Sequence, residues 1–141
     1  MLKKRDGVRL YFQPGLTSRP VTASGTDIAK VAAMMTKALS LLPIRHGDTE
    51  PRVNMYATYC GQSEEAALTA ILRDRHRPSC YGDDGVVFSP GAIDMGGRIV
   101  LPRKRDFDTL TPTQLQSMID EVLLPEETFN RFILDCISHP L

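Results

Sequence analysis

The chain has 141 residues, 42% of them apolar, with 17 basic and 17 acidic side chains and no net charge. That length and composition fit one globular domain over residues 1–141, with a core of ordinary size and no internal repeat. A balanced charge gives no nucleic-acid-like basic excess, and no apolar run approaches a membrane span, so neither nucleic acid nor membrane is an expected partner.

The basic start, MLKKRDGVRLYFQPG, has no apolar stretch behind it and makes a poor secretory signal. Cys60, Cys80 and Cys136 are odd in number, widely spaced and free of any CxxC pair. They read as free thiols in a reducing cytosol, not as disulfides or a zinc set. The expectations are a cytoplasmic protein, no metal and no cofactor.

Residues 7–12, GVRLYF, alternate and predict a strand ended by Pro14-Gly15, and residues 13–25 read as a loop. Ile28, Val31, Met35, Leu39 and Leu42 recur at helical spacing. They predict a core-facing helix over 26–42, with Thr26 as cap, Asp27 at the positive end and Pro43 as the stop. Residues 52–59, RVNMYATY, alternate as a strand with one buried face. Residues 63–74 are ambiguous: Ser63 with two glutamates looks like a helix start, whereas ALTAIL suits a buried strand. GVVFS (85–89) and GRIVLP (97–102) predict short strands. LTPTQLQSMIDEV (110–122) predicts a helix, with Thr111, Pro112 and Gln114 as cap, first residue and capping-box partner, and with Leu110 and Leu115 placed for a hydrophobic staple. Pro125 begins a last helix with an apolar face of Phe129, Phe132, Ile133, Cys136 and Ile137. The order β, α, several β, α-α predicts an α+β fold, a mainly antiparallel sheet with helices packed on one side.

The chemistry concentrates in ILRDRHRPSCYGDDG (71–85), where Arg73, Arg75, His76 and Arg77 fall within five positions. Converging guanidinium forks suit phosphate or carboxylate oxygens, and a histidine adds a donor that titrates near neutrality. The alternative is a solvated charge run with Arg75 paired to Asp74 or another carboxylate. GDDG (82–85) reads as a turn rather than a cation site. MGGR (95–98) precedes a β-like run, so its glycines fit a bulge or close strand approach better than a phosphate loop. Asp94, between Ile93 and Met95, reads as half-buried and hydrogen-bonded, with structural and functional roles both open.

Three stretches then fall in a recognisable order: EPRVNMYATY (50–59), ILRDRHRPSCY (71–81) and SPGAIDMGGRIVLPRKRDFDTLT (89–111). Over residues 50–123 they resemble the C-terminal part of an uncharacterised bacterial family. That family is related to GDP-L-galactose phosphorylase and diadenosine tetraphosphate phosphorylase, in the galactose-1-phosphate uridylyltransferase-like branch of the histidine triad superfamily. The resemblance implies a strand over 66–73, and it implies that Arg73, His76 and Arg77 lie near the nucleotide or phosphate region. Asp94 and Arg103 are accessory candidates beside them, with a solvated basic loop at PRKR (102–105) as the alternative for Arg103. Active relatives use a His-x-His motif whose central neutral imidazole attacks phosphorus. The three histidines here, His46, His76 and His139, never occupy alternate positions, and Asp74 and Pro78 flank His76 at that spacing. The resemblance therefore implies a phosphate-facing half whose nucleophile lies upstream, with no catalytic residue of its own. It makes the chain a nucleotide- or sugar-phosphate-binding module that forms a homodimer or joins a chain carrying the missing half. A non-catalytic structural or protein-interaction domain is the alternative.

Overall fold

The computed structural model describes residues 2–13 and 18–140; the expected Pro14-Gly15 break lies outside them. β1 (Leu2–Arg5) and β2 (Val8–Phe12) form a hairpin closed by Asp6 and Gly7, with Arg5 opposite Val8. Both turn residues have positive φ, 50° and 82°, which is the geometry that favours Asp-Gly between paired strands. The basic residues at positions 3–5 thus lie in a strand.

β3 (Val21–Gly25) lies within the stretch expected to be loop. Its small polar residues hide the strand, yet it pairs with β2 on one side and with β5 (Glu65–Leu72) on the other, and Val21 and Ala23 point into the core. A Cβ at Gly25 would come 3.1 Å from the Gly7 carbonyl oxygen, so a larger residue there would push the hairpin turn back by a few tenths of an ångström. β4 (Val53–Cys60) pairs with β5 along its whole length, from Val53↔Leu72 to Cys60↔Glu65. Ser63 and Glu64 sit in the turn, and the expected strand over 66–73 stands. The antiparallel sheet has the order β1-β2-β3-β5-β4.

α1 (Ile28–Leu39) starts at Asp27, not Thr26: the Asp27 carboxylate accepts from the Ala29 and Lys30 N–H groups at 3.1 and 3.2 Å. Ile28, assigned to the core stripe, is 57% exposed, because Val31, Met34, Met35 and Ala38 form the buried face. α2 (Ala92–Met95) and α3 (Lys104–Thr109) are short, and α4 (Pro112–Val122) carries the expected capping box between Thr111 and Gln114. α5 (Glu126–Ser138) buries Phe129, Phe132, Ile133 and Cys136 but leaves Ile137 exposed.

The fold is α+β. α1 and α5 join Val8, Leu10, Phe12, Val21, Ala23, Ala70 and Leu72 in one core cluster, with Phe12 and Phe132 edge to face at 6.1 Å. Each fully buried large apolar side chain there contributes about 1.5–3 kcal/mol. α1 contacts β2, β3 and β5, so β4 lies beyond its cover. The one-sided burial expected of β4 is therefore reduced to Val53, which packs against the core: Met55, Ala57 and Tyr59, on the same side of the sheet, are exposed.

The strands expected at 85–89 and 97–102 do not form. Only Val86 makes a bridge, to Tyr81. Side-chain carboxylates take the N–H groups a partner strand would have taken: Asp106 accepts from Val87 at 3.0 Å and Asp94 from Val100 at 2.9 Å. The Gly96-Gly97 pair ends α2, with Gly97 at φ 99°, and is no bulge between strands.

Candidate functional site

β5 ends at Leu72, and the segment after it is pinned by the end of α4: Leu124 N–H donates to Leu72 O, and Asp74 N–H donates to Val122 O, both at 2.9 Å. The basic cluster thus starts at a fixed point at the sheet's end. Its members then diverge.

Arg73 is buried. Its Nη1 donates to Pro90 O at 2.6 Å and to Asn54 Oδ1 at 3.3 Å, and Nη2 donates to the His76 carbonyl. It makes no salt bridge among the described residues, and its buried Nε–H has no partner among them. Burial lowers its pKa, and the nearby charge of Arg52 lowers it further, with Asp94 acting weakly in the other direction. A buried cation held by carbonyls without an opposing carboxylate is unusual, since burying a charge is costly unless it is paired.

Arg75 is exposed and bound to Glu121 at 2.6 Å, so it belongs to the surface, though its partner is not the neighbouring Asp74. Asp74 instead pairs with Arg45. Arg77 is exposed, makes no salt bridge among the described residues, and lies over the Tyr81 ring at 4.2 Å from its centroid.

His76 lines a cleft of about 310 Å³ together with Asp48, Arg52 and the loop between them. Arg52 Nε donates to Asp48 Oδ2 at 2.7 Å, and Arg52 Nη1 donates to Asp74 O at 2.9 Å. That hydrogen bond, with the charges of Arg52, His76 and Arg45 behind it, holds the Asp48 carboxyl below its usual range. The cleft therefore has an imidazole and a guanidinium on its walls, with Asp48 paired to the guanidinium and Glu50 as a second carboxylate. Arg45, Asp48 and Arg52 were not singled out in the sequence. The signal was present in the pairing: an antiparallel β4–β5 hairpin puts residue 52 beside residue 73.

The accessory candidates lie outside the cleft, with Asp94 close enough to act on Arg73 through its charge. The Asp94 carboxylate accepts from Gly91 and Val100 N–H groups at 2.8 and 2.9 Å, closing α2. Arg103 binds the buried Asp106 at 2.8 and 3.0 Å and also donates to Asp83 O and Gly85 O, with Arg105 repeating both carbonyl contacts. These arginines clamp the GDDG turn. Among the described residues no group of three His, Cys, Asp or Glu side chains is placed to hold a metal, and no helix is long and apolar enough to cross a membrane. Cys60, Cys80 and Cys136 are free thiols.

The architecture is thus an α+β fold with a cleft lined by His76, Arg52, Asp48 and Glu50 at one end of an antiparallel sheet. Residues 77–140 match the model of the GDPGP1-like, C-terminal domain family, and the chain resembles the C-terminal part of a GDP-L-galactose phosphorylase-like family. The matched residues run from Arg77 through α5, and include Asp94 and Arg103 but not the sheet, Arg73 or His76. No curated protein and no solved structure matches the chain.

Proposed function

We propose that the chain is a phosphate-binding module, taking a nucleotide or sugar phosphate at the sheet end through His76, Arg52 and Arg77, with Arg73 behind them. The observation that carries this reading is that two cations of the 73–77 stretch have no carboxylate partner among the described residues: Arg73, buried and short of one acceptor, and Arg77, stacked on Tyr81. An anion entering beside them offsets charge that the protein leaves uncompensated. The phosphorylase-like C-terminal match supports a phosphate ligand. Asp94 and Arg103 support the surrounding loops in this reading, since their polar groups are already engaged.

The module has no nucleophile of its own in this proposal, because no His-x-His sequence occurs in the chain. Its partner is a second copy or a chain carrying the complementary half. β4 supports that part, being a long edge strand with no charged side chain.

Titration calorimetry with a nucleoside diphosphate and a sugar phosphate tests the ligand. Binding should weaken as salt rises and fall in both Arg52→Ala and Arg77→Ala. Equal binding by the native protein and both variants, or none by any, returns the cluster to a solvated surface. Turnover of dinucleoside polyphosphates by the isolated chain, abolished by His76→Ala, would overturn the non-catalytic part.

A further inference from the structure

We infer that the turn at residues 80–86 and one face of α4 form a second binding site, for an uncharged, mostly apolar small molecule bearing a hydrogen-bond acceptor. The cavity measures about 500 Å³, within the range of roughly 300–1,000 Å³ typical of small-molecule sites. Val86, Leu110 and Met118 supply its apolar walls. From α4, residues 114, 117, 118 and 121 recur three and four apart, so one helical face is turned to the cavity.

The electrostatics specify a neutral ligand. Glu121 is the one charged side chain on the wall, and its oxygens already accept from Arg75 at 2.6 Å, Ser79 N–H at 2.9 Å and Ser79 Oγ at 3.2 Å. An anion would meet this carboxylate, and a cation would find its oxygens occupied. The polar handles specify an acceptor. Gln114 uses its Oε1 in the capping box, which leaves its amide N–H groups without a partner among the described residues. The Thr113 hydroxyl is likewise without one.

The walls are fixed from both sides. Arg103 and Arg105 hold the Asp83 and Gly85 carbonyls, Asp106 holds Val87 N–H, and Glu121 holds Ser79. A preformed cavity of this kind loses little ordering entropy on binding. It shares no lining residue with the His76 cleft, so the two sites stand or fall separately.

Cys80 lies exposed on the cavity wall and provides the readout. The protein used carries Cys60→Ser, because Cys60 is the other exposed thiol; Cys136 is buried and its thiol is pushed up to about 12 by that burial. Iodoacetamide alkylation of Cys80 is followed by mass spectrometry with benzamide, which pairs a ring with an uncharged carbonyl acceptor, and with benzoate as the charged isostere. Benzamide should slow alkylation about threefold at twice its Kd, as the free fraction falls, and benzoate should not. Thr113→Trp, at an exposed position, should fill the cavity and abolish protection, with Thr109→Trp as a second filling variant; Arg52→Ala should leave protection intact. Absence of protection by benzamide, equal protection by benzoate, or protection that survives both filling variants would overturn the assignment.

Discussion

Arg52 and Arg73 stand side by side one residue beyond the β4–β5 pair: the Arg73 N–H donates to Arg52 O at 2.9 Å, and the Arg52 charge adds to burial in lowering the Arg73 pKa. Like charges on neighbouring strands destabilise a sheet unless something offsets them. Asp48 does so for Arg52, whereas among the described residues Arg73 has carbonyl and amide oxygens and no carboxylate. An anion bound at the sheet end, as proposed, would offset that repulsion.

Asp48 competes with such an anion for Arg52. Asp48→Asn should tighten phosphate binding by about two- to fivefold, the range of a partly exposed charge pair. Calorimetry on the two proteins at equal ionic strength checks this. Because Arg52 holds the Asp48 carboxyl below its usual range, the native affinity should not rise between neutral pH and pH 5 through Asp48 protonation. Weaker binding by the Asn variant would place the anion away from Arg52.

Arg73 also holds β5, Asn54 and the loops at His76 and Pro90 together. Arg73→Met keeps the apolar stem but leaves those oxygens without their donor, and should cost about 2–3 kcal/mol of stability. A lower urea midpoint with an unchanged slope is the expected signature. An unchanged midpoint would show that relief of the buried charge outweighs the lost hydrogen bonds.

Asp106 is buried and accepts from Arg103, Val87 N–H and Arg105, and the Arg103 hydrogen bond is the main reason its pKa is lowered. Its folded pKa thus lies below the unfolded value of about 3.9, so its contribution is complete above that value and is lost as pH falls through the folded pKa. Denaturant unfolding from pH 7 to pH 2 should show Asp106→Asn clearly less stable at neutral pH. The gap to the native protein should close in acid. A gap that stays constant with pH would assign the loss to shape and not to charge.

The elements legible in the sequence were those with local signals: the capping box at Thr111, the apolar stripe of α5, and the alternation of β2. What escaped was set by distant partners. β3 is a strand because β2 and β5 flank it, although Thr22, Ser24 and Gly25 give it a loop-like composition. Val87 and Val100 sit in β-rich runs, yet Asp106 and Asp94 capture their N–H groups before any strand can. At the proposed site, the run of basic residues marks the 73–77 stretch as a candidate. It did not separate the buried Arg73 from Arg75, which is tied to Glu121, or place Arg52 beside His76. Those distinctions need the β4–β5 register.

Gly85 is fixed by a close approach. A Cβ there would lie 2.0 Å from the Cys80 carbonyl oxygen, which is backbone and already accepts from Val86 N–H at 3.0 Å. Gly85→Ala must open the turn, at a cost of about 1–3 kcal/mol. Cys80 alkylation should also lose its sensitivity to benzamide, because the cavity wall moves with the turn. Native stability in the Ala variant would mean that the turn is looser than its clamp by Arg103 and Arg105 suggests.

The two edges of the sheet differ in a way that bears on assembly. β1, Leu2–Arg5, is four residues long and carries Lys3, Lys4 and Arg5, the short charged form that discourages strand addition. β4, Val53–Cys60, is eight residues long and uncharged, with Met55 45% exposed and Tyr59 69% exposed. Its free backbone groups and uncovered apolar side chains fit an added strand, with main-chain hydrogen bonds supplying affinity and these side chains a continued core. In a homodimer, antiparallel pairing of two β4 strands about a two-fold axis brings no like charges together. Light scattering coupled to size exclusion at micromolar concentration should give twice the chain mass. Met55→Lys/Tyr59→Lys should return it to a monomer with little loss of monomer stability, since both side chains are exposed. A native protein that stays monomeric, or a Lys variant that stays dimeric, would show that β4 is not the pairing edge between identical chains.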